Sequence, residues 1–162
     1  MDRLILFRHG KAEAASASGD DFDRKLAPRG EAEAAQMARR LEEQGWVPDL
    51  ALVSTAQRTR ETWAAAAPSF PNAQARFEAE LYLADTPVIA RLAEAAGRAA
   101  RTVMVVGHNP GLHEYALRLM IEGHAAPDLF ALTQRKFPPA AVATFEFVAG
   151  KPRAHSLLLP EG

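Results

Sequence analysis

The chain has 162 residues, enough for one domain that buries roughly 70% of its unfolded surface without a metal or disulfide staple. A net charge of −1 and a sequence pI near 6.5 exclude the basic footprint of a nucleic-acid binder. The absence of cysteine removes disulfides, thiolate metal sites and thiol nucleophiles.

Residues 4–7 (LILF) are a continuous apolar run, as expected of a strand buried on both faces. They are too short for a signal-peptide core, and no apolar stretch approaches the ~20 residues that span a bilayer. The expectation is a soluble, cytoplasmic protein with no membrane or nucleic-acid partner. Residues 11–27 are small, polar and acidic and read as a loop. Over 29–44, Ala34, Met37, Ala38 and Leu41 follow helical spacing, with Pro28 near the start and Gly45 past the end. Residues 50–53 read as a strand, 56–67 as a helix stopped by Pro68, and 75–77 as a short strand. Thr86-Pro87 resembles an N-cap followed by proline and opens a helix to about Gly97. Residues 102–106 (TVMVV) read as a strand. Asn109-Pro110 repeats the cap-plus-proline signal before a helix to about Ile121. Residues 125–139 read as irregular with one short helix, and 142–148 and 154–158 as strands, the last two able to pair antiparallel. The alternation predicts an α/β three-layer sandwich over residues 1–162, with a mostly parallel sheet and helices on both faces.

Three predicted strands end in polar groups suited to one task. The first ends in Arg8-His9-Gly10, the second in Ser54-Thr55-Ala56-Gln57-Arg58, and the third in Gly107-His108-Asn109-Pro110-Gly111. In an open α/β sheet, ligands bind outside the carboxyl ends of the strands. Two guanidiniums, two imidazoles and a nearby helix N-terminus would gather there. Such a pocket suits a phosphoryl group, because arginine presents a planar fork to its oxygens. A neutral imidazole can attack phosphorus directly, and the cations supply counter-charge without a metal or cofactor. Gly10 is expected to let the backbone turn tightly beside the ligand.

At these residues the sequence resembles the histidine phosphatase superfamily, with its phosphoglycerate mutase-like fold. Arg8-His9-Gly10, then Ser54, Arg58 and Thr62 at Ser-x-x-x-Arg-x-x-x-Thr spacing, then Gly107-His108-Asn109-Pro110-Gly111 occur in the family's order. The short chain, the Gly-His-Asn-Pro wording and Glu80-Leu81-Tyr82-Leu83-Ala84 resemble its compact branch, the SixA-type phosphohistidine phosphatases. Thr55 departs from the proline of many relatives, but the spacing to Arg58 is kept.

The resemblance implies that His9 becomes phosphorylated while Arg8, Arg58 and His108 hold the phosphoryl oxygens. It further implies a carboxylate that protonates the leaving group. Glu80 matches by position, with Glu78 close by and Asp85 slightly farther. His9 must attack as the neutral ring, so Arg8 and Arg58 are expected to lower its pKa. The chain has little spare sequence to build a lid, so the expected substrate is protein phosphohistidine. Small phosphate monoesters, or phosphate binding without turnover, are the alternatives. His113-Glu114 begins like a zinc-protease helix, but Leu117 stands at the second ligand position. The acidic run Gly19–Asp23 reads as a solvated loop. His113, His124 and His155 read as structural or solvated. The oligomeric state is left open.

Overall fold

The computed structural model describes residues 1–161. Its elements in chain order are β1 (Arg3–Arg8), α1 (Pro28–Glu43), β2 (Leu50–Ser54), α2 (Gln57–Ala66), β3 (Gln74–Glu78), α3 (Thr86–Ala96), β4 (Thr102–Gly107), α4 (Gly111–Glu122), α5 (Pro127–Arg135), β5 (Val142–Val148) and β6 (Lys151–Leu158). The six strands form one sheet in the order β3-β2-β4-β1-β5-β6. β3, β2, β4 and β1 run parallel. β5 runs antiparallel to β1, and β6 antiparallel to β5.

The sheet is therefore mixed, which corrects the expectation of a mostly parallel one. The cause lies in the connection between the last two strands. Ala149 and Gly150 both have positive φ, 53° and 78°, as in a two-residue type I′ turn, and so short a connection can only return a strand antiparallel.

Alternate side chains of the central strands feed two cores. Leu4 and Leu6 pack on one face with Ile89 and Ala93 of α3 and Leu112 and Ala116 of α4. Ile5 and Phe7 pack on the other with Met37 and Leu41 of α1 and Trp63 and Ala66 of α2. All four β1 side chains are fully buried, so a Leu6→Ala cavity would cost about 2–5 kcal/mol. The helical periodicity of α1 is what places Ala34, Met37, Ala38 and Leu41 on this core. Its end is a Schellman motif: the Gly45 amide donates to the Glu42 carbonyl at 2.9 Å and the Trp46 amide to the Leu41 carbonyl at 2.8 Å. Gly45 takes the left-handed φ of 78° that this motif requires.

Register aligns the strand ends that matter. Arg8 of β1 lies opposite Gly107 of β4, and Val53 of β2 opposite Val106. His9, Ser54 and His108 thus leave the sheet side by side. Gly10 serves packing here: a Cβ on it would stand 2.5 Å from the Gly30 carbonyl oxygen, and one on Gly30 2.1 Å from that of Lys11. The two glycines let the first turn of α1 abut the chain leaving β1.

Two caps differ from expectation. Asp85, not Thr86, caps α3, its carboxylate accepting from the Val88 amide. Asn109 does not cap α4, which begins at Gly111; its amide group instead donates to the Phe137 carbonyl. Among the described residues, no helix is long and apolar enough to cross a membrane.

Candidate active site

The structure brings Arg8, His9, Arg58 and His108 together at the carboxyl edge of β1, β2 and β4. The His9 and His108 ring centroids are 5.3 Å apart. His9 is 8% exposed, Arg58 3% and His108 2%. His9 Nδ1 lies 2.7 Å from the Gly10 carbonyl oxygen. A carbonyl only accepts, so Nδ1 carries the proton and Nε2 keeps its lone pair.

The motif spacing on α2 has a local cause. Arg58 and Thr62 are one turn apart and face the same way. The Gly10 amide donates to Thr62 Oγ1 at 3.0 Å, and Thr62 donates to the Arg58 carbonyl at 2.8 Å. Thr62 therefore fixes the backbone of the first motif to the helix that carries Arg58. Ser54 belongs to this frame: its Oγ lies 2.8 Å from His108 Nε2 and accepts the Ala56 amide at 3.4 Å. A Ser54 hydroxyl that donates to Nε2 would leave His108 with an N–H at Nδ1.

Among the described residues, three buried side-chain atoms have no hydrogen-bond partner: Arg8 Nε, His108 Nδ1 and Asn109 Oδ1. All three lie in the two strand-end motifs, and two of them suit an anion. Arg8 is held by its other end, donating to the Phe137 carbonyl at 3.0 Å, the same oxygen that receives Asn109. Phe137 is in turn stacked on His113 with centroids 5.3 Å apart, and His113 donates to the Thr133 carbonyl. His113 is structural, as its lack of a motif suggested. His155 is exposed on β6, its ring 4.9 Å from that of Trp46.

Burial sets the charge state of the floor. The His9 pKa is pushed down to about 4, first by burial and then by the charges of Arg8 and Arg58, against the opposing Gly10 hydrogen bond. The two arginines lower it in the expected direction, and desolvation is the larger cause. His108 is pushed down to about 3, again by burial first. Both rings are neutral near pH 7.

The rim comes from segments that do not follow a strand motif. Asp21, in the loop read as solvated, is tied into the site. Arg58 donates to its carbonyl oxygen at 2.8 Å and to its carboxylate at 3.0 Å. The Tyr82 hydroxyl donates to the same carboxylate at 2.6 Å, and Arg24 to its other oxygen at 2.9 Å. These contacts, with the Tyr82 bond foremost, hold Asp21 well below the usual carboxylate range. Sequence reasoning missed Asp21 as a partner of Arg58 and Tyr82 as a wall beside His108, because both contacts join residues far apart in the chain. Glu80 is not joined to the four by any hydrogen bond. Its carboxylate is exposed and paired with Arg91 of α3. Asp85 is occupied in capping α3.

A surface cleft of about 460 Å³ between the end of α4 and the β5–β6 turn, lined by His124, Lys151 and Arg153 among others, shares no residue with this site.

Residues 4–83 match the model of the histidine phosphatase superfamily (branch 1), a stretch that contains Arg8, His9 and Arg58 and ends before His108. The chain belongs to this superfamily. Two solved structures place it in the SixA-type branch. It is 32% identical to a protein of Agrobacterium tumefaciens assigned as the phosphohistidine phosphatase SixA, with a TM-score of 0.86 and 98% of each chain covered. It is 28% identical to a Nakamurella multipartitia protein given the same assignment, with a TM-score of 0.84 over 99% of this chain and 97% of that one. A chloroplastic protein of Arabidopsis thaliana, itself uncharacterized, is 36% identical over 127 residues. The match covers 72% of this chain and 58% of that protein, so it spans less than two thirds of the relative's length.

Proposed function

We propose that this protein is a metal-independent phosphatase that removes the phosphoryl group from phosphohistidine on a protein, through a phosphohistidine intermediate on its own His9. The observation that carries this reading is the state of His9: buried, neutral, protonated at Nδ1 by the Gly10 contact, with Nε2 left to attack. The two unpartnered donors, Arg8 Nε and His108 Nδ1, suit the phosphoryl oxygens, and the Arg58 guanidinium adds charge.

In the first step the Nε2 lone pair forms the N–P bond, and the bond from phosphorus to the leaving nitrogen breaks with its electron pair on that nitrogen. One imidazole–phosphorus bond replaces another of the same kind, so the step is close to thermoneutral. The substrate ring, protonated at its far nitrogen, departs as neutral imidazole and needs no acid at the scissile atom. The positive charge that His9 acquires is offset by the Gly10 carbonyl. In the second step water attacks phosphorus, the N–P electrons return to Nε2, and phosphate leaves with the proton balance taken up by solvent. Glu80 enters this scheme only as a donor to poorer leaving groups, after release from Arg91.

The test is phosphate release from a histidine-phosphorylated peptide, in chelator, by wild type and His9→Ala. Release by wild type alone supports the reading. No release from that peptide, with turnover of small phosphate esters, transfers the activity to small molecules. Tight phosphate binding without turnover on any substrate makes the site a binding module.

A further inference from the structure

Beyond the phosphate cradle, the site continues outward as a series of rings. His9 and His108 are followed by Tyr82, whose ring lies edge-on to His108 with centroids 5.6 Å apart. Phe22 follows Tyr82 at 5.0 Å, again edge-on. The series runs from a nucleophile that is 8% exposed to a phenyl ring in a residue that is 37% exposed.

Phe22 has no core role. It lies in a single 3-10 turn, Asp21–Asp23, none of whose residues is buried. Yet its position is not loose. The preceding residue, Asp21, binds Arg58 through both its carbonyl and its carboxylate and also receives the Tyr82 hydroxyl. Arg58 itself lies 5.9 Å from the centre of the Tyr82 ring. Both aromatic residues are thereby fastened to the guanidinium assigned above to phosphate.

Phosphoryl transfer runs roughly in line, with the leaving group opposite the nucleophile. His9 attacks from the buried floor, so the leaving group points outward to the rim. We infer that Phe22 and Tyr82 form a leaving-group subsite that takes a planar ring, the imidazole of phosphohistidine or the phenol of phosphotyrosine, in preference to an alkyl chain such as that of phosphoserine. The inference rests on the phosphate site proposed above. Ring–ring contact of this kind selects by about three- to ten-fold.

Non-hydrolysable probes separate the subsite from turnover. The affinities of phenylphosphonate and methylphosphonate are to be compared in wild type, Phe22→Leu and Phe22→Tyr. Leucine keeps apolar bulk without a ring, and tyrosine keeps the ring. The expected result is a three- to ten-fold preference for phenylphosphonate in wild type, lost in Phe22→Leu and restored in Phe22→Tyr. Equal affinities in wild type, or a preference that survives Phe22→Leu, would overturn the subsite. Failure of both phosphonates to bind would remove the phosphate site and the subsite together. The same variants on matched peptides carrying phosphohistidine, phosphotyrosine or phosphoserine divide the two proposals. Cleavage of phosphohistidine with a ring preference indifferent to Phe22 leaves the proposed function standing and this inference wrong. A Phe22-dependent preference with phosphotyrosine cleaved and phosphohistidine refused leaves the subsite standing and the proposed substrate wrong.

Discussion

His9 and Asp21 both feel the charge of Arg58, from opposite sides of the site. His9 directly follows the central strand β1, is buried, and is held neutral by desolvation. Asp21 sits on a surface loop with its side chain 44% exposed and is held ionised by hydrogen bonds. The first belongs to a floor whose geometry follows from sheet register and two cores. The second belongs to a rim assembled by polar contacts between loops. In the reading proposed above, the floor carries the chemistry and the rim bears on affinity and on the leaving group.

The largest effect expected from this contrast is on the floor. Arg58→Ala removes a nearly buried cation and should lower kcat/KM by about 10²–10³-fold, read by steady-state kinetics on the phosphohistidine peptide. A loss under ten-fold would mean that Arg58 serves mainly to hold Asp21.

Acid comes next. His9 and His108, at about 4 and about 3, titrate below the ordinary imidazole value near 6.5. Between these values the unfolded chain binds more protons than the native one, so stability is full above pH 6.5 and falls as pH drops toward 4. Each ring contributes up to about 1.4 kcal/mol per pH unit in that window. Urea titrations at pH 7 and pH 5 should show the difference, and His9→Gln should reduce it. A stability unchanged between the two pH values would contradict the buried neutral pair.

On the rim, Asp21→Asn removes a negative charge beside the phosphate site. It should tighten inorganic phosphate two- to five-fold at low salt, by an amount that shrinks at high salt. Weaker phosphate binding would show that Asp21 chiefly orients Arg58. The smallest effect is expected at Glu80, which faces Arg91. Glu80→Gln should leave turnover of the phosphohistidine peptide within about two-fold, and a loss of ten-fold or more would make Glu80 the proton donor after all.

The same division explains what the sequence revealed. Arg8, His9, Arg58 and His108 were legible because each ends or lies just beyond a buried strand, at a spacing that parallel register must align. All six strands were placed from the sequence, β1 by its apolar run, and helical periodicity located α1. The antiparallel pairing of β5 with β6 was anticipated, whereas that of β5 with β1 leaves no local mark in the sequence. Gly10 looked like a local turn residue, and only the packed structure shows that it and Gly30 make room for one another. Asp21 and Tyr82 are 61 residues apart and meet through a side-chain hydrogen bond, for which no periodic pattern exists.

The most direct measurement is to locate the phosphoryl group during turnover. Wild type mixed with the phosphohistidine peptide is quenched in alkali within the first turnover, digested and read by mass spectrometry. The expected result is a phosphoryl group on the peptide that contains His9, formed and lost at rates that match turnover and absent in His9→Ala. Turnover with no such adduct, or with the phosphoryl group on another residue, would contradict it.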